Sequence, residues 1–528
     1  MSGNTLHLRA LPPRNKPGLT LLAALLGLFI ALLDVTVVTV AMPTIGEDLD
    51  ATFDDLEWVA NAYMLALAVL IVTAGRLGDL YGQRVIYVIG VVIFLAGSVL
   101  CAAAGEITLL GAEHITTLHV GRVVQGVGGA VVMPLTLAIV YSSFEGKARA
   151  KGIMMWGAVG GLATALGPLI GGLLVDHAGW EWIFLINVPI GAVVIFAALA
   201  GMGADQRRAT SGNSIDLPGL LTLSASLLCI NLALINGNSW GWTSAKVLGL
   251  LAGGILLLAG FLAVEARSKA PIMDLGWFRR PSFGGSIATS FLLGAGMFSV
   301  IFYLSIYLQT GLDLSAQETG VRLLPMTLML MIGAPVGGRI VAKAGVRKAL
   351  IFAMTLMAVG IALYTLADPK GDSGSWTLLL PGMLLTGLAM GVAMPVASEL
   401  TISSAPQDQV GVAASAGTMI RQVGNAVGIA IMGALMSNRT DAATEEMIDL
   451  QRKGEATAEA AAALQQKAVT EGMENGAWYA AAITLVGAVL VVLFVRDTQS
   501  PTGTSAAPPA PPRPRPDDTM RLSKLPSA

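Results

Sequence analysis

Residues 75–84 read Gly75-Arg76-Leu77-Gly78-Asp79-Leu80-Tyr81-Gly82-Gln83-Arg84, and residues 338–347 read Gly338-Arg339-Ile340-Val341-Ala342-Lys343-Ala344-Gly345-Val346-Arg347. Two glycines and two arginines recur with identical spacing at an offset of 263. Each stretch is a short polar break between apolar runs, and its glycines permit a tight turn. Leu118, Gly126, Met133 and Pro134 recur in the same way as Leu379, Gly387, Met394 and Pro395, at an offset of 261. The chain is therefore an internal repeat of about six apolar segments per unit, with a further pair inserted between the copies. Parallel repeats of this kind predict two bundles that rock about a midplane substrate site.

The composition says what surrounds those segments. Of 528 residues, 54% are hydrophobic and 62 are glycine, while 32 basic and 34 acidic residues make up only 12%. That charged share is about half the usual one and cannot cover a water-soluble surface of this size, so the lipid bilayer is the expected solvent. A net charge of −2 gives no basic face for nucleic acid. Cys101 and Cys229 both lie inside apolar runs and form no disulfide framework.

Apolar runs of spanning length fall at 19–42, 58–80, 85–104, 118–141, 151–175, 181–203, 216–236, 244–264, 284–309, 317–341, 347–367, 376–401, 412–436 and 478–495, fourteen in all. The first is too long for a signal peptide and continues past Asp34 without a cleavage site. Arg76, Arg84, Lys147, Arg149, Lys151, Arg207, Arg208, Arg267, Lys269, Arg279, Arg280, Arg339, Lys343, Arg347 and Lys348 fall on one side, against Lys246 and Lys370 on the other. The positive-inside rule then puts both termini in the cytoplasm of a cell (inner or plasma) membrane protein. The expected divisions are a cytoplasmic segment 1–17, a six-helix bundle 18–203, inserted helices 7 and 8 over 204–283, and a second bundle 284–497. An outer loop or helical hairpin at 437–476 interrupts the second bundle, and a proline-rich, disordered tail covers 498–528.

Gly75 to Arg84 resembles the loop signature between helices 2 and 3 of the major facilitator superfamily. Arg122, Gln125, Gly126, Gly128 and Gly129 resemble its helix-4 signature, and Gly157, Gly161, Gly167, Pro168, Gly171 and Gly172 its antiporter signature. The first span (Leu33, Asp34, Val35, Thr36, Val37, Val38, Ala41, Pro43) and the start of the sixth (Trp180, Trp182, Phe184, Leu185, Asn187, Pro189, Gly191) resemble the fourteen-helix drug:proton antiporter branch. The resemblance covers 18–497 and implies an all-α major facilitator fold and multidrug efflux. It also implies a part for Arg122 in proton coupling. Two departures stand out: Gln83 replaces a second basic residue, and Ala342 replaces Asp79 in the repeat, which leaves Asp79 alone to serve as the acid of the loop.

Among individual residues, Asp34 lies about seven positions, roughly 10 Å of helix, from the outer end of its span. A lone ionised carboxylate is costly there. It reads as a proton-coupling site, a permanently paired structural charge, or a seat for a substrate cation. Arg122 sits at comparable depth and can exchange partners with it or reach the outer interface. Glu399 and Arg421 make a second candidate pair near the cytoplasmic interface, where both can instead reach water. Asp79, Arg84 and Arg76 read as an inner conformational latch, or as simple loop capping. Gly157, Gly161, Gly167 and Gly171, with a bend at Pro168, make smooth faces for close helix packing and sliding.

A permeant site for bulky amphipathic compounds wants adaptable apolar walls, and the chain has 23 methionines. Phe298 and Phe302 share one face of the ninth span, and Tyr303 and Tyr307 another; Trp58, Tyr63, Met155 and Trp156 are candidates in the other half, with Gln125 and Asn425 as polar groups. Any of these can equally pack or face lipid. No phosphate-binding loop occurs, since Gly146-Lys147 is followed by Ala148. The expected activity is proton-driven export of lipophilic small molecules by a monomer in the bilayer, with no cofactor, no metal and no catalytic residue. Export of an endogenous lipid, peptide or secondary metabolite is the alternative, and a membrane receptor or scaffold is the alternative outside transport.

Overall fold

The computed structural model describes residues 16–108, 113–203, 216–268, 271–312, 314–366, 375–406, 409–453 and 457–495. The expected tail and nearly all of the expected N-terminal segment lie outside them. The described residues contain no strand. Their helices are α1 (Pro17–Asp48), α2 (Phe53–Tyr81), α3 (Gln83–Ala102), α4 (His114–Ser143), α5 (Gly146–Ala178), the single turn α6 (Trp182–Leu185) and α7 (Asn187–Gly201). Then follow α8 (Leu217–Trp240), α9 (Ala245–Glu265), α10 (Pro281–Ile306), α11 (Ala316–Ala362), α12 (Leu380–Ser403), α13 (Val410–Lys453) and α14 (Ala458–Phe494).

Among the described residues, twelve helices are long and apolar enough to cross a membrane, or thirteen when α5 counts as one span bent by 44° between Thr164 and Leu169. The bend falls on the stretch containing Gly167 and the Pro168 backbone. The expected count of fourteen is not reached as such, because α11 as one element contains two expected spans that meet at a kink. Its 47 residues are ~70 Å at ~1.5 Å each, more than twice the hydrocarbon thickness of ~30 Å. The join is Gly345, whose φ of 87° and ψ of 166° are not helical. Gly82, its repeat counterpart, takes φ 105° and ψ 133° and does separate α2 from α3. Only glycine adopts such angles without strain, which explains why both copies of the motif keep it.

Helices α1, α4, α5 and α7 pack together, with α2 and α3 laid on α4; α10 packs with α13 and α14, and α11 with α12 and α14. The two bundles meet where α13 touches α2 and α4, and where α5 touches α11 and α12. The inserted pair α8–α9 leans on this seam, since α8 reaches both α2 and α13. Its Leu220, Leu223 and Leu227 join Leu67, Ile71 and Val72 of α2 in one apolar cluster, and Ser224 Oγ donates to the Val69 carbonyl at 3.1 Å. Apolar side chains also cover the outside: Leu256 on α9 is 72% exposed, as expected where hydrocarbon is the solvent.

Beyond the expected spans, α13 and α14 continue as a helical hairpin clipped by Arg439 Nη1 and Glu471 Oε2 at 3.1 Å. At the start of α2, Thr52 and Asp55 form a reciprocal cap, Asp55 N donating to Thr52 Oγ1 at 3.3 Å and Thr52 N to Asp55 Oδ2 at 3.0 Å.

Candidate functional site: a buried ion pair and a bridge between the bundles

Asp34 and Arg122 are the central charged residues of the first bundle, each 1% exposed. Arg122 Nη1 meets Asp34 Oδ2 at 2.5 Å. The other carboxylate oxygen, Oδ1, accepts from Gln125 Nε2 at 2.9 Å and from Asn187 Nδ2 at 3.1 Å. Both amides also donate to Ser98 Oγ, at 2.7 and 3.3 Å. Arg122 is fixed further by Nε donating to the Val59 carbonyl at 2.9 Å and by the Tyr63 ring 4.6 Å from its guanidinium. Five helices thus converge on one carboxylate. Asp34 is also deeper than expected: α1 extends to Asp48, 14 residues further on, or ~21 Å of helix.

The sequence reading assigned neither Asn187, a direct partner of Asp34, nor Ser98, which holds the Gln125 and Asn187 amides, to this site. The signal for Asn187 was present, a polar side chain at the start of an apolar span; nothing set Ser98 apart from an ordinary helix serine.

The polar loop motif is split by the structure. Asp79 reaches across the seam, where its Oδ1 accepts from Gly411 N and its Oδ2 from Val412 N, both at 2.9 Å. It thereby caps the first turn of α13, at the positive end of the helix dipole. Arg84 does not join that bridge. Its Nη2 donates to the Leu199 carbonyl at the end of α7, at 2.9 Å, and Arg347 does the same to Val492 near the end of α14, at 2.6 Å. Each repeat therefore uses this arginine to close its own bundle. No ion pair joins Arg76 to Asp79 among the described residues, and Arg76 Nε is buried without a partner. The side-chain bridge across this seam therefore runs from Asp79 to backbone N–H groups, which carry no sequence signature.

The expected pair of Glu399 and Arg421 is not formed. Glu399 Oε2 is buried with no hydrogen-bond partner, and the cation whose field reaches Glu399 is Arg149, itself stacked 4.2 Å from the Tyr141 ring. Arg421 lies 11 residues into α13, ~16 Å deep, and is buried.

On α5, Gly157 faces Pro395 of α12, with space for a Cβ only 3.1 Å from its ring, and Gly161 faces Leu330 of α11. Gly167 and Gly171 face Thr36 and Val37 of α1 instead. Gly160 likewise faces Leu28 and Leu32 of α1, so one face of α5 meets the other bundle and a second face meets its own. The Pro168 side chain lies outside the described residues, as does that of Phe298.

The aromatic candidates divide. Tyr63 is buried, its hydroxyl donating to Ala31 O at 3.3 Å, and Trp156 Nε1 donates to Thr136 Oγ1 at 3.0 Å. Tyr303 donates to Ile429 O at 3.3 Å, and Tyr307 is buried. Met155 and Phe302 remain accessible, at 37% and 48%, and Trp58 is half-buried. The Asn425 and Gln422 amides lie 2.8 Å apart on α13.

A family model described as Major Facilitator Superfamily matches residues 24–429. The chain belongs to that superfamily. It is accordingly a multi-pass membrane transporter and not an enzyme. It is 36% identical over 433 residues to the tetracenomycin C resistance and export protein of Streptomyces glaucescens, covering 82% of this chain and 78% of that protein. It is 33% identical over 429 residues to the multidrug transporter protein MdtP of Bacillus subtilis, covering 81% and 76%. Among solved structures, the human organic anion transporter MFSD10 superposes with a TM-score of 0.62 at 14% identity, over 90% of this chain and 99% of that one. That likeness concerns the superfamily fold alone.

Proposed function

We propose that this transporter is a proton-coupled antiporter that exports hydrophobic or amphipathic drugs and antibiotics by alternating access. It works as a monomer in the cell membrane, with both termini cytoplasmic and without a resident cofactor. The observation that carries the reading is the Asp34 carboxylate, buried at mid-helix against Arg122 in a chain whose relatives are named for drug resistance and export.

Asp34 carries the exchanged proton, taken up and released as the bundles rock. When Asp34 is protonated, Arg122 loses its counter-charge and turns to Gln125 and the Val59 carbonyl, which it already contacts. The Asp79 bridge holds the inner faces of α2 and α13 together until the bundles rock apart. The test is dye accumulation in cells making the protein. Accumulation falls relative to control cells, and a protonophore abolishes the difference; export that ignores the protonophore and tracks ATP in sealed vesicles rejects antiport.

A further inference from the structure

The second bundle holds a buried cation with no acidic partner among the described residues. Arg421 is 7% exposed, yet no carboxylate among the described residues lies within ion-pair distance of it. The nearest acids by topology are engaged or turned elsewhere: Asp34 is held by Arg122, Asp79 by the α13 backbone, and Glu399 forms no pair with it. A buried charge without a partner is strongly destabilising, far more so than a paired one. The first bundle solves this problem with Asp34; the second does not.

Arg421 lines a tight cleft together with Ser290 of α10, Ser398 and Thr401 of α12, Thr418 of α13 and Leu137 of α4. The Thr401 and Thr418 hydroxyls donate to Ala397 O and Ala414 O, at 3.0 and 2.9 Å. Ser290 and Ser398 have no such commitment and keep free O–H donors. The guanidinium is donor-only and positively charged, and the two hydroxyls can each donate as well, which suits an anion and repels a cation. In this conformation the cleft is closed, and a substituent can enter it only when the bundles rock apart. Leu137 belongs to the other bundle, which means that rocking opens and closes the cleft.

We infer that Arg421, with Ser290 and Ser398, is the subsite that receives an anionic group, a carboxylate or phenolate, of the exported molecule. This rests on the efflux reading and adds to it the charge class of the cargo. The cargo's apolar body lies outside the cleft, and its anion supplies the partner that Arg421 lacks.

The test is equilibrium binding to the purified full-length chain, which needs no proton gradient and so stays informative if the coupling reading fails. The probes are fluorescein, a xanthene bearing carboxylate and phenolate, and rhodamine 6G, an esterified cationic xanthene of similar size. Wild type binds fluorescein more tightly; Arg421→Gln weakens fluorescein binding by about tenfold or more, with rhodamine 6G changed less than about threefold. Arg421→Lys keeps part of the fluorescein affinity, and Ser398→Ala lowers it several-fold. Arg421→Gln melts at or above the wild-type temperature, because a buried unpaired charge has been removed. Equal loss of both dyes, or fluorescein binding unchanged in Arg421→Gln, overturns the assignment. So does a wild-type melting temperature that rises in chloride over gluconate only when Arg421 is present, with fluorescein bound equally by both proteins, since the occupant is then an inorganic ion.

Discussion

Asp79 of α2 and Val412 of α13 are joined across the seam between the bundles by an N–H···O bond of 2.9 Å, although 333 positions separate them in the chain. With the parallel bond from Gly411 N, it makes a carboxylate in one bundle the N-terminal cap of a helix in the other. Charge-assisted caps are worth about 1–2 kcal/mol, enough to bias two conformations without locking either.

Asp79→Asn keeps one acceptor oxygen and loses the charge. Transport falls several-fold, while substrate affinity stays within about threefold, because a shifted two-state equilibrium alters affinity only through the competent fraction. Turnover and binding by the purified protein check this: normal turnover, or affinity lost beyond about a hundredfold, contradicts the latch.

Gly75 offers a second route to the same bridge. A Cβ there would overlap the Gly411 carbonyl and the Ser415 side chain on α13, whereas a Cβ at Gly338, its repeat counterpart, would meet the flexible Met154 side chain at 3.1 Å. Gly75→Val is therefore expected to push α2 from α13 and reproduce the Asp79→Asn phenotype, and Gly338→Ala to transport nearly as wild type. Similar losses from both substitutions would show that the asymmetry has no functional weight.

Arg84→Gln and Arg347→Gln act on stability and leave the bridge intact, since these arginines cap α7 and α14 within their own bundles. Each lowers stability by about 1 kcal/mol, read as a drop of a few degrees in melting temperature, with transport per folded molecule unchanged. A transport defect in a protein of undiminished melting temperature would return Arg84 to the latch.

Asp34→Asn removes the titrating group and leaves Arg122 buried without its counter-charge. Export falls to background and stability drops by about 3 kcal/mol. Combining it with Arg122→Gln recovers most of the stability and none of the export. A folded Asp34→Asn protein that still answers the proton gradient transfers the coupling role to another carboxylate, with Glu399 next in line.

Much of this architecture follows from one-dimensional regularities. Apolar run lengths, charge scarcity and the recurrence of Gly75–Arg84 at 338–347 determine an all-helical, membrane-spanning, internally repeated chain, because a bilayer forces backbone hydrogen bonds to close within each segment. Asp34 and Arg122 stood out for the same reason: a charge in an apolar run needs an explanation wherever it folds. Partner choice is a different matter. That Asp34 meets Gln125 and Asn187, that Arg84 closes α7 while Asp79 alone bridges to α13, and that Glu399 and Arg421 fail to meet depend on helix rotation, bend and starting point. A shift of one residue turns a side chain by about 100°, so run boundaries known to within a few residues leave those pairings open. The latch partners, the N–H groups of Gly411 and Val412, belong to the backbone that every residue shares, and only the approach of α13 to α2 turns them into a site.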